Sequence, residues 1–313
     1  MHGGGENGST PLPVDEQFVS RTGPFGGPAT FAPMKPAPFA YADPDTLEGV
    51  LDLLADGRDA VVIAGGQSLV PLLNLRLARP ELVVDPRRVR GLDGVEHRGS
   101  VLRIGALTTA ATIEADPSVA AAIPGLVEAV RCIGHPPIRT RTTIGGSVAH
   151  ADPAAELPAA LVALDATVEL ASRARGIRLV PATDLFTGPF TTARAPDELV
   201  VAVEVPLPDG PTGWLEHARR PGDFALVGVF ASLAPAPSAA GRIAVAGLAG
   251  TPVLVELTAP GRTGPVPGLD AVEAAAALVA ALPPPADDQH GSGAYRVALA
   301  AELTRRLLRR LAA

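Results

Sequence analysis

The stretch Thr143-Ile144-Gly145-Gly146-Ser147-Val148-Ala149-His150-Ala151-Asp152-Pro153-Ala154-Ala155-Glu156-Leu157-Pro158 decides how this chain is read. It opens on a threonine and a glycine pair, carries a histidine and two acids, and ends in an apolar, helix-like run. Paired glycines let backbone N–H groups come close to a ligand, because no Cβ stands in the way. Successive N–H groups in such a turn form a concavity suited to a phosphate. The acids a few residues on can accept hydrogen bonds from ribose-like hydroxyls. Outward from this stretch, Val61-Val62-Ile63 reads as a buried strand. It runs into a second Gly-Gly loop, Ala64-Gly65-Gly66-Gln67-Ser68-Leu69, whose glycines lie 80 residues earlier. One such loop binds one phosphate-like group, and two on different subdomains could grip a pyrophosphate. Neither loop carries Gly-Lys-Ser/Thr or G-x-G-x-x-G, so neither a P-loop nor a Rossmann turn is read here.

Composition narrows the field. At 313 residues the chain exceeds one compact core and implies two or three subdomains. Hydrophobic residues at 47% and charged residues at 19% are globular rather than disordered proportions. No apolar run approaches the ~20 residues of a transmembrane helix, and a net charge of -7 argues against nucleic-acid binding. The single cysteine, Cys132, excludes a disulfide framework within the chain and a Cys-ligated iron–sulfur cluster built by this chain alone. It reads as a small buried apolar residue. Lys35 is the only lysine, so an anionic ligand must be met by arginines and backbone N–H groups.

In chain order, residues 1–33 read as a disordered Gly/Pro-rich extension without a secretory pattern, and Met34 reads as a second candidate start. Asp45 is the expected N-cap of a helix with Glu48 three residues on. Leu47, Val50, Leu51 and Leu54 form its apolar face and Gly57 its stop. A short helix over Val70 to Leu77 and a strand over Leu82 to Val84 close a first βαβ-like unit. Val101 to Ala106 is strand-like, and Thr112 to Ala115 and Pro124 to Arg131 are helical. Thr167 to Leu170 and Ile177 to Val180 pair as a hairpin, Asp184 to Pro189 is a turn, and Glu198 to Pro206 is a strand. A third region begins near Pro211, with strands at Phe224 to Leu233, Ile243 to Leu248 and Val253 to Leu257. A helix follows over Asp270 to Leu282, and a last one over Ala294 to Leu311. Tyr295, Leu299, Leu303, Leu307 and Leu311 stripe that last helix. Arg305, Arg306, Arg309 and Arg310 crowd its end, as a solvated tip or a partner contact.

Taken together, Ala64-Gly65-Gly66-Gln67-Ser68-Leu69-Val70-Pro71, Thr143-Ile144-Gly145-Gly146-Ser147 and Ala151-Asp152-Pro153-Ala154-Ala155-Glu156-Leu157-Pro158 resemble the paired FAD signatures of the molybdenum hydroxylase family. The likeness is to its flavoprotein (medium) subunit, of the aerobic carbon monoxide dehydrogenase and xanthine dehydrogenase type. Ile133-Gly134-His135-Pro136, Phe186-Thr187-Gly188-Pro189, Arg219-Arg220-Pro221-Gly222-Asp223-Phe224-Ala225 and Tyr295-Arg296 follow in the same order. The resemblance implies an α+β architecture. It would be a vanillyl-oxidase-type (PCMH-like) fold of two FAD-binding subdomains, residues 34–90 and 91–210, with a C-terminal α/β domain of the CO dehydrogenase flavoprotein type at 211–313.

The resemblance also implies a division of labour. The backbone of Ile63, Ala64, Gly65, Gly66, Gln67, Ser68 and Leu69, with that of Thr143, Ile144, Gly145, Gly146 and Ser147, would hold the FAD pyrophosphate. Hydroxyls of Ser68, Thr143 and Ser147 would assist. Asp152 or Glu156 would meet ribityl or adenosine hydroxyls, and Ile133 would sit by the flavin ring. His150, Asp223 and Phe224 would line the site. Phe224 stands where the family often has tyrosine, and Thr142 where it often has glycine, which would be strained if the backbone there had positive φ. His135 and His150 read either as acid/base groups or as loop histidines. Arg139 and Arg141 read as solvated or as phosphate partners. No catalytic side chain and no metal site are expected.

The implied function is that of an electron-transfer oxidoreductase subunit. It would take electrons from [2Fe-2S] clusters on a small partner and pass them through FAD to NAD+, quinone or another acceptor, while a large partner carries molybdopterin. A dimer of heterotrimers is expected, with cytoplasmic localisation and the inner face of the membrane reached through the complex. A stand-alone FAD oxidoreductase and an FAD-free scaffold or assembly paralogue are the alternatives.

Overall fold

The computed structural model describes residues 35–235, 240–257 and 268–313. The N-terminal extension and the Met34 start lie outside the described residues. The first segment holds strand β1 (Ala40–Ala42), helix α1 (Leu47–Ala55), strand β2 (Ala60–Val62), helix α2 (Leu69–Asn74) and strand β3 (Leu82–Val84). The strands pair in parallel in the order β1-β3-β2. Central β3 is apolar at every position because both its faces are covered. Val50, Leu51 and Leu54 of α1 are buried as the spacing predicts. The cap of α1 is Thr46, not Asp45. Thr46 has extended backbone, and its hydroxyl accepts from Gly49 N at 3.1 Å, the third helical N–H, which Asp45 stands one residue too early to cap. Helix α2 ends at Asn74 rather than Leu77, because Arg76 turns left-handed (φ 56°).

The second segment starts with β4 (Val95–Arg98) and β5 (Val101–Gly105). Six short helices follow: α3 (Ala110–Ala115), α4 (Pro117–Ala122), α5 (Pro124–Cys132), α6 (Pro136–Arg139), α7 (Ile144–His150) and α8 (Glu156–Ala163). The hairpin β6 (Thr167–Ser172) and β7 (Gly176–Pro181) comes next. In place of the expected turn at Asp184 to Pro189 there is a one-turn helix α9 (Ala182–Leu185). It leads into β8 (Phe186–Gly188), which pairs with β9 (Thr191–Thr192). Strand β10 (Glu198–Pro206) has the bounds read from the sequence and enters the middle of the antiparallel sheet β4-β5-β10-β6-β7. Across that sheet Arg103 and Glu169 form a bidentate ion pair at 2.7 and 2.8 Å.

The third segment contains a strand that the sequence reading missed, β11 (Thr212–His217), before β12 (Val227–Leu233), β13 (Gly241–Ala246) and β14 (Val253–Glu256). They form an antiparallel meander, followed by helices α10 (Gly268–Ala280) and α11 (Gly293–Ala312). Alternation along the strands gives the sheet two apolar faces. Val227, Val229, Ala231, Ile243 and Val245 pack on α10 and α11. Trp214, Phe230, Ala244 and Ala246 instead join the core built by α5 and α8. The close approach of Trp214 demands a glycine opposite it: a Cβ at Gly228 would lie 2.3 Å from the indole. Glu128 of α5 accepts from Trp214 N at 2.8 Å and from Arg310 of α11, tying three elements together.

The four terminal arginines of α11 are ion-paired within the chain, to Glu273, Glu302 and Glu128. Of the predicted stripe, Tyr295 is 48% exposed, while Leu303 and Leu307 are buried alongside Val297, Ala300 and Thr304. A strict four-residue spacing drifts off the face, because the helix repeats every 3.6 residues.

Candidate functional site

A cavity of about 590 Å³ runs between the first and second segments, within the roughly 300–1,000 Å³ usual for cofactor sites. Its walls bring together almost every residue singled out above. Ala64, Gly65, Gly66, Gln67, Ser68, Leu69, Ile133, Thr143, Gly145, Gly146, Ser147, His150, Asp152, Glu156, Asp223 and Phe224 line it. Ile63 and Ile144 do not. The Ile63 side chain lies behind Gly66, and Ile144 is fully buried in the core because it starts the inward face of α7.

The two Gly-Gly segments are built differently. After β2, Ala64 to Ser68 form an irregular loop in which Gly66 takes φ +72°. The N–H groups of Ala64, Gly65, Gly66, Gln67 and Ser68 find no acceptor among the described residues. A run of unpaired backbone donors at a cavity wall is rare unless a ligand satisfies it. Gly65 serves a different need: a Cβ there would meet the Arg141 carbonyl oxygen at 2.2 Å, so the loop lies directly on the residues preceding the second segment.

The second Gly-Gly pair is not a turn, as the sequence suggested, but the first turn of α7. Thr143 is extended and caps that helix, its hydroxyl accepting from Gly146 N at 3.2 Å. Ile144 N donates to Thr108 O, Gly145 N to Ala106 O at 2.8 Å, and Ser147 N to Thr143 O. Every backbone donor from Ile144 to Ser147 is therefore already used. These glycines offer close approach instead: a Cβ at Gly145 would lie 2.5 Å from the Ala106 Cβ. Thr142 has no positive φ, so threonine in place of the family's glycine is unstrained.

The polar side chains divide clearly. Asp152 accepts from Ala154 N at 2.9 Å and shapes the turn before α8. Glu156, at the first position of α8, is 5% exposed and has no side-chain hydrogen bond to another described residue. Burial, then the nearby Glu216 and Asp152, push its carboxyl up to about 8. His150 packs its ring on Phe190 at 5.1 Å between centroids. His135 is packed against Gly222, where a Cβ would be 2.7 Å from the ring. This brings the Ile133-Gly134-His135 turn against the Pro221-to-Phe224 loop. Arg139 is no phosphate partner. It pairs with Glu114 at 2.8 Å and donates to the carbonyls of Arg131, Ile133 and Gly134, holding that turn in place. Arg141 is exposed. Cys132 is half-buried, and burial raises its thiol to about 12.

Sequence reasoning missed Arg194, Glu198, Leu199 and Val200, which also line the cavity. Arg194 donates to the carbonyls of Ala195 and Glu198, and burial lowers its pKa. Glu198 accepts from Arg178 at 2.6 and 2.8 Å, and this pair holds its carboxyl down at about 2. The signal in the sequence was Glu198 opening a strand whose only other charge is Glu204.

Comparison with known proteins identifies the family. Residues 37–208 match the FAD-binding domain in molybdopterin dehydrogenase, and residues 215–311 match the CO dehydrogenase flavoprotein C-terminal domain. The nicotine 6-hydroxylase medium subunit of Paenarthrobacter nicotinovorans is 41% identical over 88% of this chain and 98% of its own length. The carbon monoxide dehydrogenase medium chain of Hydrogenophaga pseudoflava is 34% identical over 88% and 97%. Among solved structures, quinoline 2-oxidoreductase from Pseudomonas putida 86 superposes with a TM-score of 0.82 at 36% identity, over 89% of this chain and 98% of that one. The chain belongs to the FAD-binding medium subunits of the molybdenum hydroxylase family. It is accordingly an oxidoreductase subunit with FAD as its cofactor, and the expected fold class holds. The cavity fits that cofactor: its volume suits a dinucleotide-sized ligand, its walls are mostly apolar, and one end carries a row of unpaired N–H donors. No helix among the described residues is long and apolar enough to cross a membrane.

Proposed function

We propose that this chain is the electron-transfer subunit of a heterotrimeric molybdenum hydroxylase, accepting electrons from the [2Fe-2S] clusters of a small partner and handing them to NAD+, quinone or another acceptor. A large partner holds molybdopterin and the substrate, and two heterotrimers associate. The complex is cytoplasmic, and any contact with the inner face of the membrane comes through it. The observation that carries this reading is the row of unpaired donors from Ala64 to Ser68 at the edge of a cofactor-sized cavity.

When bound, FAD supplies the redox chemistry, and the protein binds, orients and shields it. The Ala64–Ser68 N–H groups hold the pyrophosphate, and Ser68 and Ser147 add hydroxyl donors. Gly145 and Gly146 keep the opposite wall flat. Ile133 and Phe224 cover the ring. Phenylalanine at 224 makes that cover apolar, without a phenolic hydrogen bond. Glu156 meets the sugar-like hydroxyls, and Asp152 supports the turn before it. No side chain of this chain acts as a nucleophile. The proposed subdomain limits, 34–90, 91–210 and 211–313, are supported by the three larger sheets, each of which lies within one of them.

The test is recombinant protein with a flavin absorbance near one FAD per chain, together with co-purification of a molybdopterin subunit and a ferredoxin-like subunit. Gly146→Val should leave a folded chain that no longer retains FAD. A colourless wild-type protein that takes up no FAD would sink the reading, and a flavoprotein that purifies alone from its native source would favour a solitary enzyme.

A further inference from the structure

The turn between β8 and β9 carries a residue that its own backbone does not favour. Gly188 pairs with Thr191, so Pro189 and Phe190 are the two central residues of the turn. Phe190 takes a φ of 54°. After proline, a positive φ at the second central position is ordinarily met by glycine or asparagine, because a bulky side chain crowds that backbone. The turn itself does not need the phenyl ring. Phe190 N donates to Ala151 O at 3.0 Å and Thr191 Oγ1 to Pro189 O at 3.0 Å, bonds that any residue at 190 except proline would keep. Pro189 makes the packing contact to the loop after β13, where a Cβ at Gly250 would lie 2.7 Å from its ring. Burial does not repay the conformation either, since Phe190 is 58% exposed.

What the ring does touch is His150. Their centroids are 5.1 Å apart and their planes are tilted by 48°, within the range of favourable aromatic pairs. His150 ends α7 and lines the cavity together with Gly146 and Ser147, one turn earlier on the same helix. It is half-buried, and neither ring nitrogen has a hydrogen-bond partner among the described residues. A neutral imidazole carries one donor and one acceptor, so this side chain brings two unspent polar atoms to a mostly apolar wall. Left alone, a half-buried side chain on the last residue of a helix samples several rotamers. The Phe190 ring closes off one side of the imidazole. Ala151, the next residue, is itself left-handed at φ 52°, and its carbonyl takes the Phe190 N–H. The backbone that sets His150 and the backbone that sets Phe190 are therefore bonded to each other.

We propose that Phe190 is a positioning residue for the cofactor: held in a left-handed turn, its ring fixes the His150 imidazole at the cavity wall, where a ring nitrogen hydrogen-bonds FAD. This rests on the FAD-binding reading above and deepens it by naming the residue that orients His150. His150 touches the cofactor, and Phe190 acts through it. A bulky residue in the left-handed region costs about as much as one aromatic contact returns, so the pair adds little to the folded apoprotein. Its value lies in binding. A side chain already held in its bound position does not have to be ordered when the ligand arrives, and affinity rises accordingly. Glycine at 190 would relax the turn and release the histidine at the same time. Stability and FAD affinity should therefore move apart in that variant.

The test uses the full chain, with FAD removed and titrated back while flavin fluorescence is followed, and with urea unfolding of the apoprotein measured in parallel. Phe190→Gly should weaken FAD about three- to tenfold, the value of one hydrogen bond lost, while its apoprotein urea midpoint stays at or above that of wild type. Phe190→Tyr, which keeps the ring, should bind FAD within about twofold of wild type. His150→Ala should show the same loss as Phe190→Gly. The double variant should lose no more than either alone, because both changes remove one interaction. A Phe190→Gly protein that binds FAD as tightly as wild type overturns the proposal. So does a double variant in which the two losses add, since Phe190 then acts on something other than His150. A fall in the Phe190→Gly midpoint makes the ring a structural group and also overturns it. Wild type that takes up no FAD sinks the FAD-binding reading and this proposal with it. In every other failure wild type binds FAD, and only the role of Phe190 falls.

Discussion

The two Gly-Gly segments look alike as letters and differ as structures. The loop after β2 has its donors from Ala64 to Ser68 without an acceptor among the described residues, and one glycine in a left-handed conformation. The turn at Thr143 has its donors spent on Thr108, Ala106 and Thr143 itself, and its glycines sit in ordinary helix. A glycine pair can thus serve a ligand by freeing N–H groups or by removing Cβ bulk. Only the hydrogen-bond accounting separates the two uses.

The contrast can be broken most severely at Gly65→Val. The new side chain has no room against the Arg141 backbone, and backbone cannot yield as a flexible side chain does. The expected result is loss of FAD together with a stability loss of about 3 kcal/mol or more, read by urea midpoint and flavin absorbance. Next is Gly145→Ala. Its Cβ overlaps Ala106, so stability should fall by about 2 kcal/mol. FAD affinity of the folded fraction should stay near wild type, because the donors of this segment do not face a ligand. Gly66→Ala should cost about 1–2 kcal/mol for the left-handed backbone and also weaken FAD at least tenfold, since that φ aims the free donors. If Gly145→Ala weakens FAD as much as Gly66→Ala, the assigned difference between the segments is wrong. The smallest effect is expected for Thr143→Ala, about 1 kcal/mol for a lost helix cap, with substantial recovery in Thr143→Ser.

Much of this molecule was legible in its sequence, and the misses have physical causes. Strand β10 and the β6–β7 hairpin were readable because β-branched apolar runs ended at prolines or at Arg-Ala-Arg-Gly turns. Strand β11 was not, because Trp214, Glu216 and His217 interrupt the alternation. Trp214 is there to fill the neighbouring core, and Glu216 accepts from its indole N–H. The Thr46 cap was mistaken for Asp45 because both residue types cap well and only the backbone angle decides. The motifs led to most of the cavity wall, but Arg194 and Glu198 carry no motif. Their place follows from β10 entering the middle of its sheet, a pairing that no local pattern records. By proximity in sequence alone, Arg139 reads as either a solvated residue or a phosphate partner. Its guanidinium is instead spent on three carbonyls and Glu114.

The double-faced C-terminal sheet has a consequence for the order in which the protein comes into being. Trp214, Phe230, Ala244 and Ala246 complete a core whose other members, from Leu102 to Val205, leave the ribosome first. Until the last third is made, the backs of α5 and α8 are bare, and so is the seat of Ile133 and Glu156. The core behind the cavity is therefore complete only when residues as late in the chain as Ala246 have been made.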